Sequence, residues 1–176
     1  MKKIAFNIFH NNNELALQKP NSDFLELSSY WYMEFGKFAS EIKNSDGNSI
    51  FSVTKKFQFW KWKMCYFISN SKGEKLLLQS KNKKNTVFEM ELDGNFYTIK
   101  EHYQYKKSVF KNGEKIAAFD EKDTENTHKI LLLVQDLMDL QFIFLMHSCL
   151  FIGKNDFKTS SLSTQKELEK NLDPWF

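Results

Sequence analysis

The densest chemistry in the chain lies in Lys55-Lys56-Phe57-Gln58-Phe59-Trp60-Lys61-Trp62-Lys63-Met64, where four lysines interleave with four aromatic rings. Read as a strand, the segment puts Lys55, Lys61 and Lys63 on one face with Phe57 and Phe59. Lys56 falls on the other face with Trp60, Trp62 and Met64. Ammonium groups beside aromatic rings suit an anionic interface, either lipid head groups or single-stranded nucleic acid. The competing expectation is structural, with Trp60 and Trp62 turned into a core and the lysines solvated or lying along the strand. Lys81, Lys83 and Lys84, with Lys106 and Lys107, extend one positive patch if their hairpins are neighbours, and are otherwise solvated charges. The candidate contact residues are therefore Lys56, Lys61, Trp62, Lys63, Lys106 and Lys107.

A second cluster, Asp136, Asp139 and His147, invites a catalytic or metal reading. On a helix the Asp136-x-x-Asp139 spacing shares one face, and His147 follows two turns on from Asp139. A divalent site needs further ligands, and no His-x-x-x-His or Cys-x-x-Cys pattern supplies them. The expected role is a polar seam at one end of a fold. His10, His102 and His128 stand alone. No glycine-rich phosphate loop, nucleophile elbow or zinc pattern is present, so no cofactor, metal or catalytic residue is assigned.

Composition narrows the partner. The chain has 176 residues and a formal net charge of +3, and all 25 basic residues are lysine. The absence of arginine matches AT-rich codon usage. It also lowers the expectation of nucleic-acid reading, because bidentate guanine and phosphate contacts favour the guanidinium fork. Aromatic content of 16%, with 18 Phe, excludes wholesale disorder. At this length a chain buries about 70% of its unfolded surface, enough for one core without disulfides or metal. The start, Met1-Lys2-Lys3-Ile4-Ala5-Phe6, is broken by Asn7 and the Asn11-Asn12-Asn13 run before an export h-region can form. The expectation is a cytoplasmic protein in which Cys65 and Cys149 are two buried thiols.

The elements that must position these residues are mostly strands. Asp46-Gly47-Asn48, Lys72-Gly73-Glu74, Asp93-Gly94-Asn95 and Asn112-Gly113-Glu114 punctuate β-rich runs from Tyr30 to Asp120. Those runs include Trp31–Ile42 and Lys56–Ser69, each read as one strand. An antiparallel meander follows, since parallel pairing needs crossover helices that are missing.

A helix is expected over about 127–152, stopping at Gly153. Fourteen residues from Ile130 to Ile152 are Leu, Ile, Val or Phe, worth about −0.3 to −0.6 kcal/mol each on insertion. Asp136 and Asp139 cost about 2.5–3.5 kcal/mol each, so a membrane span is not supported. Such a helix is apolar around most of its circumference and must be covered on nearly every side. The expected fold is mainly β, a closed antiparallel barrel around a central hydrophobic C-terminal helix. Residues 1–29 are an N-terminal segment, partly irregular or a first strand. Residues 30–152 are the barrel with its helix. Residues 153–176 are a polar tail with a short helix over Ser163–Lys170, whose terminal Trp175-Phe176 docks on its own domain.

This order of elements resembles the tubby C-terminal-like superfamily, which includes plant LURP-one-related proteins and phospholipid scramblases. The residues that carry the resemblance are Asp46–Val53, Ser71–Leu77 and the apolar stretch Ile130–Ile152. The resemblance implies a closed barrel threaded by a hydrophobic helix. It also implies a mostly non-catalytic module, with phosphoinositide head groups held in a basic groove. Lys61-Trp62-Lys63 looks like the lysine-x-basic pair of that groove, with Lys where Arg is usual. The expected function is a binding module that contacts anionic lipid head groups, or another anionic or protein partner, through its basic-aromatic strand. The alternative is an intracellular carrier of an apolar ligand in a lipocalin-like barrel.

Overall fold

The computed structural model describes residues 3–121, 129–154 and Trp175. Twelve strands follow one another around a closed barrel, each antiparallel to both neighbours. They are β1 (Ile4–Asn11), β2 (Glu14–Gln18), β3 (Leu25–Glu34), β4 (Lys37–Asn44), β5 (Ser49–Gln58) and β6 (Lys63–Asn70). They continue as β7 (Lys75–Ser80), β8 (Val87–Leu92), β9 (Asn95–His102), β10 (Lys106–Lys111), β11 (Glu114–Asp120) and β12 (Lys129–Val134). The seam closes by pairing β12 with β1, Val134 opposite Ile4 and Lys129 opposite Phe9, which removes the open edges of a flat sheet.

Alternation along each strand builds the core. Phe6 and Ile8 on β1, Phe51 and Val53 on β5, and Tyr97 and Ile99 on β9 are all buried. The helix α1 (Leu140–Phe151) fills the interior, with ten of its twelve residues buried. Rings reach it from around the wall: His10 of β1 against Phe151, Phe51 of β5 and Tyr97 of β9 against Phe142, and Phe119 of β11 against His147. The expected barrel around one hydrophobic helix is the observed architecture.

Three expectations about the elements need correction. The helix expected over 127–152 is shorter, because Lys129–Val134 forms β12. A run of Ile, Leu and Val fits either period, and here Ile130, Leu132 and Val134 point inwards while Leu131 and Leu133 do not. Asp136 then accepts a hydrogen bond from the Met138 amide (3.0 Å) and starts the turn that leads into α1. The run Trp31–Ile42 contains a hairpin at Phe35-Gly36, and Lys56–Ser69 contains one at Phe59–Trp62. In both, aromatic residues that favour strands occupy the turn. Residues from Ile4 onward, expected as a partly irregular segment or first strand, supply β1, β2 and the start of β3.

Up-and-down connection sorts the turns into two ends. Those after β1, β3, β5, β7 and β9 lie at one mouth, and those after β2, β4, β6, β8 and β10 at the other. The N-terminus of α1 lies at the second, where Asp139 meets Tyr97 and Lys111, so we term it the entry mouth. Its C-terminus lies at the first, the exit mouth, where the Lys55 ammonium donates to the Ile152 carbonyl (2.6 Å).

Candidate functional site

The exit mouth carries the lysine-aromatic segment as a hairpin tip. Gln58 pairs with Lys63, and the four residues between them form one 3₁₀ turn closed by Trp62 in the left-handed region, whose amide donates to the Phe59 carbonyl (3.2 Å). Phe57, Phe59 and Trp62 pack on one another with centroids 5.3 to 6.2 Å apart, so the turn has a small aromatic core of its own. Trp60 projects away from that cluster and is 99% exposed. The expectation that Trp60 and Trp62 point into the barrel is therefore overturned. The turn reverses the chain before either residue reaches the wall.

Strand parity separates the lysines. Lys55 points inwards, where burial, followed by repulsion from Lys154, lowers its ammonium pKa to about 8. It caps the helix and does not face a partner. Lys56 and Lys61 are exposed and Lys63 half-buried. All three act on the Cys65 thiol, whose pKa is raised by burial and pulled back by Lys63, Lys61 and Lys56. The neighbouring β7–β8 loop is tied to this hairpin by Asn85, whose side-chain oxygen accepts from the Met64 amide (2.9 Å). That bond brings exposed Lys83 and Lys84 beside the tip, while Lys81 is paired to Glu89 at 2.8 Å. Of the expected contact residues, the structure thus brings together Lys56, Lys61, Trp62 and Lys63.

Lys106 and Lys107 do not join them. They lie on β10, four strands from β6 around the wall. Lys107 is only 5% exposed and points inwards, ion-paired to Glu121. Glu121 also bonds His147 Nε2 at 2.8 Å, and Phe119 stacks on that ring at 4.1 Å. Burial raises the Glu121 pKa, but the Lys107 charge and the His147 bond outweigh it and hold the carboxyl at about 2. Burial lowers the His147 pKa to about 4 despite Glu121, so the ring is neutral and donates its Nε2–H. The result is a buried, charge-balanced plug. Nothing in the isolated sequence pattern pointed to it, since Lys107 and Glu121 are 14 residues apart.

The polar seam expected of Asp136, Asp139 and His147 at one end does not hold together, because the two aspartates lie at the entry mouth and His147 at the exit mouth. Asp136 caps the turn before α1, and Asp139 accepts from Tyr97 Oη (2.8 Å) and Lys111 Nζ (2.9 Å). The Tyr97 pKa is raised by burial and by its bond to Asp139, and that of Lys111 is raised chiefly by its bond to Asp139. His147 lies about 12 Å further along the helix axis, so the three groups do not form one site. Among the described residues no group of three or more His, Cys, Asp or Glu is placed to hold a metal ion.

Comparison with known families settles what kind of barrel this is. The sequence model of the Tubby C-terminal like domain matches residues 3–152, which run from the edge of β1 to the end of α1. The chain belongs to this tubby-like family. No curated protein and no solved structure matches it.

Two features of this tubby-like barrel escaped the sequence reading. One is the plug just described. The other is Phe35, a turn residue at the exit mouth that is 96% exposed. Its signal was Gly36, an isolated glycine inside an otherwise strand-like run. Beyond the described residues lies the expected helix Ser163–Lys170, along with His128 and Phe176. Trp175 is described, and it stacks beneath Lys3 (4.2 Å) and Lys115 (5.1 Å). Among the described residues no helix is long and apolar enough to cross a membrane.

Proposed function

We propose that this tubby-like barrel is a non-catalytic binding module that meets an anionic membrane surface, on the cytoplasmic side, with its exit mouth. The observation that carries the reading is the Phe59–Trp62 tip, an exposed aromatic turn flanked by Lys56, Lys61 and Lys63. Tryptophan has an apolar body and one polar N–H, which suits the head-group layer. Each lysine near an anionic leaflet contributes about 1 kcal/mol. Point charges without the guanidinium fork favour a charged surface over stereospecific head-group recognition. The carrier alternative needs an open interior, and α1 fills the space that an apolar ligand would take. Catalysis is not favoured, because Asp139 and His147 are each engaged at different ends of the barrel.

The test is co-sedimentation of the full chain with vesicles of neutral lipid, alone and with anionic lipid added. Binding is expected only when anionic lipid is present, and to weaken with salt. Lys61→Glu combined with Lys63→Glu is expected to weaken it at least tenfold. Unchanged binding by that variant contradicts the assignment of the site, and no binding by the parent chain contradicts the function.

A further inference from the structure

Backbone strain in this barrel gathers at one end. Among the described residues nine non-glycine positions have positive φ, and five are Asn or Asp, which tolerate the left-handed region. The other four are Phe35, Trp62, Gln104 and Tyr105. Every one of them lies in a turn at the exit mouth.

Phe35 is the sharpest case. Its φ of +47° is followed by +73° at Gly36, two consecutive positive values that define a type I′ hairpin turn. The same pattern occurs at Asp93-Gly94 (+50°, +73°) and Asn112-Gly113 (+51°, +86°), both at the entry mouth. Those turns place Asp or Asn in the first position, where a short polar side chain is least strained. At the exit mouth a phenylalanine stands there, with its ring almost wholly in water. The ring therefore adds little packing to offset the strain. A residue that is costly both in its backbone and in its exposure stabilises nothing in the free protein.

We infer that Phe35 is a second membrane anchor, set beside Trp60 so that the barrel meets an anionic bilayer at two points. This inference rests on the function proposed above. β4 pairs with β5 through Ala39 opposite Thr54, and continuing that register brings Lys37 level with Lys56. The Phe35-Gly36 turn then lies level with Phe57 and Gln58, at the base of the Trp60 tip. The two hairpins are adjacent in the barrel, about two strand spacings or 10 Å apart. Exposed Met33 extends the apolar part of the first, and exposed Lys37, Lys56 and Lys61 flank the pair, outnumbering exposed Glu34, which lies opposite Lys37 beside Phe35. Single projecting rings with lysines around them match a fluid, negatively charged surface, into which each ring inserts separately. Two anchors also fix the tilt of the barrel axis, which a single tip leaves free.

The test uses the full chain carrying Phe35→Asn, with melting temperature and affinity for anionic vesicles measured on the same protein. The expected result is a melting temperature higher by about 2 °C, as relief of turn strain in a chain of this size should give, together with about fivefold weaker binding. Phe35→Gly, which removes the strain without adding a polar side chain, is expected to weaken binding to a similar extent. Binding as tight as the parent's in both variants overturns the inference and leaves the proposed function standing. A lower melting temperature in both also overturns it, because Phe35 then serves the fold. Failure of the parent chain to bind anionic vesicles overturns the function and the second anchor together.

Discussion

At the entry mouth, Asp139 ties the start of α1 to the wall through Tyr97 and Lys111; at the exit mouth, Glu121 ties its last turns through Lys107 and His147. Inside, both ends of the barrel are thus closed by a carboxylate that joins helix to sheet. Outside, they part company. The entry-mouth turns carry Asp46, Asp93 and Glu114, and their left-handed positions are filled by Gly, Asn and Asp. Apolar groups are exposed there too, Phe24, Leu137 and Met138 among them, but they sit among mixed charges, with Lys19 and Lys72 beside the acids, and without strained aromatic turns. The exit mouth is basic, aromatic and strained. Internal closure is what the fold requires of both ends, whereas the outer difference costs stability and needs a reason outside the fold.

The largest expected effect compares the two interior ties. Glu121→Gln leaves the Lys107 ammonium buried without a counter-charge and should cost about 3–5 kcal/mol in urea unfolding. Asp139→Asn keeps a hydrogen-bond acceptor for Tyr97 and Lys111, and Lys111 is partly exposed, so about 1–2 kcal/mol is expected. Equal costs would break the distinction between a dry plug and a half-wet one. Acid should act on the exit end first. The His147 pKa is about 4 in the fold against 6.5 when unfolded, so the unfolded chain takes up the proton first and stability falls as pH drops from 6.5 towards 4. Glu121, lowered from 4.5 to about 2, contributes stability above pH 4.5 that is lost as pH falls towards 2. His147→Gln should flatten the upper part of that profile and leave the lower part in place.

A smaller effect is expected from transplanting the strain. Asp93→Phe puts an aromatic residue into an entry-mouth turn of the same type as Phe35-Gly36. It should destabilise by about 1 kcal/mol without improving vesicle binding, because the nearest exposed charge along the chain is Glu91 and not a lysine. A gain in binding would show that any exposed ring suffices and that the lysines are incidental. The smallest effect is expected from Trp60→Ala, whose exposed side chain should change unfolding free energy by no more than about 0.5 kcal/mol. Paired with a large loss of binding, that result sharpens the view that the tip serves a partner and not the fold.

Much of the barrel was legible in the sequence where turn chemistry follows backbone demand. Gly47, Gly73, Gly94 and Gly113 all mark hairpins, three of them beside Asp or Asn. The missed turns are those where Phe35 and the Phe59–Trp62 segment occupy positions that propensity assigns to strands. Strand β12 was hidden for another reason, since a Leu-rich run carries no period of its own and only the open seam beside β1 decides its conformation. At the site, the grouping of lysine with tryptophan could be read locally, but its direction could not, because that depends on where the hairpin reverses. Lys107 shows the same limit. Its burial depends on Glu121 and on a histidine 40 positions further along the chain. Local violations of turn preference, which first counted against a turn, are concentrated at the candidate site.

The most direct measurement is quenching of tryptophan fluorescence by anionic vesicles made with brominated acyl chains. Trp60 and Trp62 form the exit-mouth tip, while Trp31 is half-buried in β3 and Trp175 lies under Lys3 and Lys115. Strong quenching is expected for the parent chain and for Trp175→Phe, and it should be largely lost in Trp60→Phe combined with Trp62→Phe. Quenching that survives the double substitution, or that disappears with Trp175→Phe, would place the membrane contact elsewhere and contradict the assignment of function to the exit mouth.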